Sequence, residues 1–260
     1  MRPIAGLVLA VVLAVAAGCS AVNRPLAPAS PHDQLRIAQL RYEHRDYAEA
    51  ITLLLQYIQY NSQSPDLDQA HFLLGMSYVQ RKEWPLSAGE FVILTSDFPD
   101  SPRLADAHYW LGMSYWRQSR PAAYDQDTTR RAISQWQRFL NLYPDHPKAG
   151  EARDFLAQGR ARLAEKSLKN AQLYVILKQY KPALVYFDEV VRDYSDTPWV
   201  DWARVGRGEA LRGQKRLAEA RAALEEALPR LKDGAARSRA EEILRDLPPA
   251  TAPAADGNPG

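Results

Sequence analysis

Apolar residues along this chain recur at helical spacing. Between Asp68 and Pro99 the sequence reads DQAHFLLGMSYVQRKEWPLSAGEFVILTSDFP, in which Phe72, Leu73, Met76 and Val79 form one run and Leu86, Phe91 and Leu94 a second. Steps of three and four residues place each run on one face of a helix. The polar Arg81-Lys82-Glu83 separates the runs and Pro99 closes the second. That order predicts a helix–turn–helix hairpin. The next segment repeats it: DAHYWLGMSY, from Asp106 to Tyr115, matches Gly75 with Gly112 and Tyr78 with Tyr115, and Pro144 then falls where Pro99 fell.

A small residue suits the point where the first helix (A) crosses the second (B), and aromatics fill the space beside the crossing. Tetratricopeptide repeats, of about 34 residues, follow this logic. Small positions on helix A fall at Ala38, Gly75, Gly112, Ala171 and Gly208, and helix B anchors at Ala50, Ser87, Ala132, Ala183 and Ala220. Two sets of landmarks thus predict five hairpins and an all-α solenoid. Two anchor spacings exceed one repeat. Ser87 to Ala132 contains an insertion, Trp116–Arg131, which lengthens the turn of repeat 3. Ala132 to Ala183 contains Lys148–Lys178, with no helix breaker and a continuous apolar stripe. It is expected to be one long helix, or two with a bend near Gly159. Ala235–Leu247 supplies a last amphipathic helix, the polar cap that a solenoid needs.

The ends differ. Residues 1–18 carry Arg2, an apolar run and Ala16-Ala17-Gly18, as a signal peptide does. The only cysteine, Cys19, follows directly. It is either the lipidated first residue of a mature lipoprotein, with Ala16 where the usual leucine would stand, or incidental to an ordinary signal peptide. Residues 19–31 read as a flexible tether and the proline-rich 248–260 as a disordered tail. Between them, 32–147 hold repeats 1–3, and 148–247 hold the linking helix, repeats 4–5 and the cap.

Charge and chemistry change this picture little. The net charge of +2 is too balanced for nucleic acid, and one cysteine allows no internal disulfide. The sequence has no HExxH, CxxC or GxSxG motif and no glycine-rich phosphate loop. His71 and His108 occupy the same place in successive repeats, which explains both without a metal. The expectation is a binding scaffold with no cofactor and no reaction. Helix positions turned away from the A–B contact are Leu35, Gln39 and Tyr42, then Phe72, Met76 and Val79, then Tyr109, Met113 and Trp116. This apolar set predicts a peptide or partner groove in repeats 1–3. The corresponding Gln172, Val175, Val205, Glu209 and Arg212 are more polar and predict a second partner face.

The lipobox-like start, five repeats, DAHYWLGMSY, the DQDTT before RRAISQWQRFLNLYPDHP, and the long helix entering YVILKQYKPALVYFDEVVRDY together resemble the BamD (ComL) family of outer-membrane β-barrel assembly lipoproteins. The match covers nearly everything from Cys19 to Leu247, although Asn61–Pro65 and Tyr194-Ser195 depart from the usual repeat ending. The resemblance implies a scaffold anchored by lipid to the outer membrane and facing the periplasm. Its partners would be a BamA-like barrel protein at the C-terminal repeats, other BAM lipoproteins, and unfolded outer-membrane proteins at the N-terminal repeats. A tetratricopeptide lipoprotein of another envelope system, pilotin-like or Tol-associated, shares the anchor and the repeats.

Overall fold

The computed structural model describes residues 30–249. The predicted signal peptide, Cys19, most of the tether and nearly all of the tail lie outside the described residues. Five antiparallel hairpins follow one another. They are α1 (Pro31–Glu43) with α2 (Tyr47–Tyr60), α3 (Leu67–Gln80) with α4 (Trp84–Asp97), α5 (Leu104–Gln118) with α6 (Asp127–Leu142), α7 (Ala149–Ile176) with α8 (Tyr180–Asp193), and α9 (Val200–Gly213) with α10 (Leu217–Ala227). A 3-10 turn, Leu228–Arg230, leads to α11 (Gly234–Asp246). Each helix packs chiefly on its neighbours in the chain, as in a solenoid. The fold is an all-α tetratricopeptide-type array with a terminal helix against α9 and α10.

The anchors explain the packing. Ala50, Ser87, Ala132, Ala183 and Ala220 are all fully buried. One turn further along each helix B stands a large buried side chain: Leu54, Phe91, Trp136, Phe187 or Leu224. In repeats 2, 3 and 5 a glycine of helix A receives it. A Cβ on Gly75 would lie 2.9 Å from Phe91, one on Gly112 2.5 Å from Trp136 Nε1, and one on Gly208 2.5 Å from Leu224. Burial of these apolar side chains contributes about 1.5–3 kcal/mol each.

Four of the five hairpins turn identically. Arg45, Lys82, Lys178 and Lys215 have φ near +60°. The next residue's N–H then reaches back to the carbonyl five residues earlier: Asp46 to Arg41, Glu83 to Tyr78, Gln179 to Tyr174 and Arg216 to Leu211. This Schellman geometry satisfies carbonyls that the helix end leaves free. Repeat 3 lacks it because residues 119–126 intervene. Buried Gln126 organises that loop: its amide donates to the carbonyls of Arg120, Pro121 and Tyr124 and its oxygen accepts from Thr129.

A first-turn aspartate of helix A holds the following inter-repeat turn in repeats 2, 3 and 5. Asp68 accepts from Ser101 at 2.6 Å and lies 3.3 Å from Arg103, and Asp106 lies 3.3 Å from Lys148. The buried Asp201 accepts from the backbone N–H of Lys232 at 2.6 Å and Asp233 at 2.9 Å, and from Arg204 at 2.9 Å. α7 spans 28 residues, unbroken at Gly159. At 1.5 Å per residue it is about 42 Å long, twice the ordinary helix here.

Candidate partner-binding surface

The nine residues predicted to line a groove divide between packed and open positions. Leu35, Val79, Tyr109 and Met113 are buried. Leu35 packs with Leu54, Tyr57 and Leu74, Val79 with Phe91 and Leu111, and Tyr109 and Met113 with Trp136, Phe139 and Ala152. These four are therefore core, not groove lining. The reason is geometric: each sits in a cluster shared by its own helix B and the helix A of the following repeat, so both sides cover it.

The other five keep part of their surface. Gln39 accepts from Gln69 across the α1–α3 gap and donates to Glu43. Tyr42 meets Tyr47 edge to face, with its phenol raised above the ordinary range by burial. Phe72 packs edgewise on Phe91 and Met76 lies beside the same cluster. Trp116 contacts Trp136 and Phe155, and the Arg162 guanidinium sits 3.9 Å from its ring centroid. The cation–π contact covers part of that end of the row. A cleft of about 330 Å³ lies at the first repeat, with Leu35, Arg36, Gln39, Glu43, Asp66 and Gln69 in its lining.

The second predicted face fares differently. Val205 is buried in the C-terminal core, Glu209 is paired with Arg239 at 2.7 Å, and Arg212 is 3.4 Å from Asp246. The partners in both pairs belong to α11, which covers α9 as a sixth repeat would. Val175 is half-buried beside the α8–α9 core, and only Gln172 is exposed. The capping helix thus occupies most of the face that the sequence left open.

Two histidines at equivalent positions diverge in surroundings. His71 Nδ1 lies 2.7 Å from Glu90, whereas His108 faces Gln135 at the corresponding place. Burial, then the nearby Arg138 charge, holds the His108 imidazole below the ordinary histidine range. Tyr109, raised by burial and by Glu151, keeps its phenol neutral. Among the described residues no group of three or more histidine, cysteine, aspartate or glutamate side chains is placed to hold a metal. No described helix is long and apolar enough to cross a membrane.

Against this geometry, a family model described as YfiO, outer membrane lipoprotein, matches residues 21–90 and 88–224. No curated protein matches the chain. Solved structures similar to it include the P58(IPK) TPR domain, 16% identical over 82% of this chain with TM-score 0.43. The chain spans 56% of that domain's length. YrrB, described as a TPR protein with an unusual peptide-binding site, is 16% identical over 82% of this chain and 92% of its own, with TM-score 0.41. TTC0263, described as a thermophilic TPR protein of Thermus thermophilus, is 19% identical over 83% of this chain and 100% of its own, with TM-score 0.37.

Proposed function

The chain belongs to the YfiO family of outer membrane lipoproteins, and from that membership we propose that it is a non-enzymatic scaffold of the BAM machinery, which inserts β-barrel proteins into the outer membrane. Cys19 is the lipidated residue, and the solenoid faces the periplasm. Several acyl chains at about 0.8 kcal/mol per buried CH₂ anchor it stably. The observation that carries the reading is the extent of the family match, which runs from residue 21 to residue 224, through four hairpins and into the fifth, rather than through one repeat.

In this reading the N-terminal repeats, 32–147, engage unfolded outer-membrane proteins. The first-repeat cleft and the part-open Gln39, Tyr42, Phe72, Met76 and Trp116 supply apolar and hydrogen-bonding contacts to an extended chain. Residues 148–247 hold the BamA-like barrel protein and other BAM lipoproteins. The contacts need neither nucleotide nor metal, and the scaffold performs no reaction.

The test is affinity purification of the lipidated chain from detergent-solubilised outer membranes, with porin levels followed after depletion. The expected result is a BamA-like barrel protein in the preparation and a fall in porins. A preparation without such a protein, or one containing a secretin or Tol protein while porin levels stay normal, refutes the proposal.

A further inference from the structure

The stacking of this solenoid is broken at one place. α3, α5 and α9 each pack on helix B of the preceding hairpin, and α7 meets repeat 3 as far as Lys166. Contacts from repeat 3 reach it at Phe155 (stacked on Trp136), at Gly159 (beside Ile133), at Arg162 (donating to Ser119) and lastly at Lys166, whose ammonium donates to the Tyr124 carbonyl at 2.6 Å. Beyond Lys166, α7 turns its buried face to α8 and α9, through Leu168 and Ala171 packed with Ala183, Phe187 and Ala203. Among the described residues no preceding helix B fills the slot there.

That slot is apolar. Leu173, Ile176 and Leu177 are 53%, 76% and 54% exposed, and Val185 of α8 is 66% exposed. Helical geometry gathers them. Tyr174 and Tyr186 stack at 5.7 Å across the α7–α8 contact. The preceding residue on each helix is rotated by about 100°. In an antiparallel pair this turns Leu173 and Val185 to one side, opposite the side that packs on α9. Steps of three and four residues from Leu173 through Ile176 and Leu177 form the ridge that helix-on-helix packing uses. Lys178 and Lys181, the next cations along the chain, are exposed.

We propose that this step is a docking site for one amphipathic helix of another protein, aliphatic along one face and acidic on its flank. The shape of the gap carries the argument. Its floor is the end of α7 beyond Lys166, about three helical turns of the 28-residue helix. The occupant therefore takes the place of the missing helix B, and its acids meet Lys178 and Lys181. This inference is independent of whether the partner belongs to barrel assembly.

A photo-crosslinking amino acid placed at Leu173, Ile176 or Val185 of the full chain in its own cells tests it, with Leu55 and Tyr60 on the outer face of α2 as controls. The expected result is one partner shared by the three positions and absent at the controls. Mass spectrometry should map its crosslinked peptide to a helix bearing glutamates or aspartates. Lys178→Glu with Lys181→Glu should cut the yield about ten-fold, with the thermal melt unchanged. No adduct above the controls, an adduct to a second copy of this chain, a crosslink to an extended or lipid species, or a yield indifferent to charge reversal each overturns the proposal. Loss of porins with this result negative would leave barrel assembly standing and remove only the docking site.

Discussion

Adding one methyl group at Gly112 sets two known effects against each other. In a helix interior, alanine is favoured over glycine by about 0.8–1 kcal/mol. The new Cβ, however, would lie 2.5, 2.7 and 2.9 Å from three atoms of Trp136, well inside ordinary contact. Trp136 has no room to withdraw: it is fully buried, stacked on Phe155 at 5.1 Å and against Trp116 at 5.9 Å. Forcing extra volume into such a core costs about 1–3 kcal/mol. The steric cost outweighs the propensity gain, and Gly112→Ala is expected to destabilise by a net of up to ~2 kcal/mol. At about 2–4 °C per kcal/mol for a domain of this size, the midpoint falls by up to roughly 8 °C. Gly89→Ala is the internal control. It lies within α4 with nothing within 4 Å of its Cβ, so the same change should raise stability by about 0.5–1 kcal/mol. Thermal unfolding followed by circular dichroism, on the chain without its first nineteen residues, reads both, and the near-ultraviolet tryptophan signal should change only for Gly112→Ala. Equal upward shifts for the two variants would refute the argument that small residues on helix A exist to admit the large side chain of helix B.

Further predictions follow the same structural logic. Lys82→Gly removes a side chain from a left-handed turn position, so it should stabilise by about 0.5–1 kcal/mol, while Lys169→Gly within α7 should destabilise by a similar amount; chemical denaturation compares them. Asp201→Ala strips two backbone N–H groups and Arg204 of their acceptor. A loss of about 2–4 kcal/mol is expected, with hydrogen exchange quickening at Lys232, Asp233 and along α11 before the N-terminal repeats respond. His108 has a folded-state pKa below its unfolded value, so the unfolded chain binds the extra proton first. The stability that neutral His108 preserves is present above pH ~6.5 and is lost as pH falls toward the folded pKa. Melting at pH about 7.5 and about 5.5 should therefore show a smaller drop for His108→Gln than for the parent chain. An unchanged pH dependence would show that His108 does not control it.

The sequence by itself determined the helix pairs, because their signals are local. Apolar spacing, small residues and prolines act within one hairpin, and Ala50, Ser87, Ala132, Ala183 and Ala220 are all buried as anchors. Tertiary structure decided which surfaces remain open. Tyr109 and Met113 belong to the core only because α6 and α7 arrive from later in the chain, and Val205, Glu209 and Arg212 are covered only because α11 folds back on α9. The aspartate staples at Asp68, Asp106 and Asp201 were likewise illegible, since each joins groups some thirty or more residues apart whose spacing no periodicity encodes. A stripe along a helix records that something packs there. Whether that something is the next hairpin, a cap or another protein depends on how far each helix overlaps its neighbour, and α7 alone shows why: one unbroken stripe is filled by repeat 3 at one end and left bare at the other.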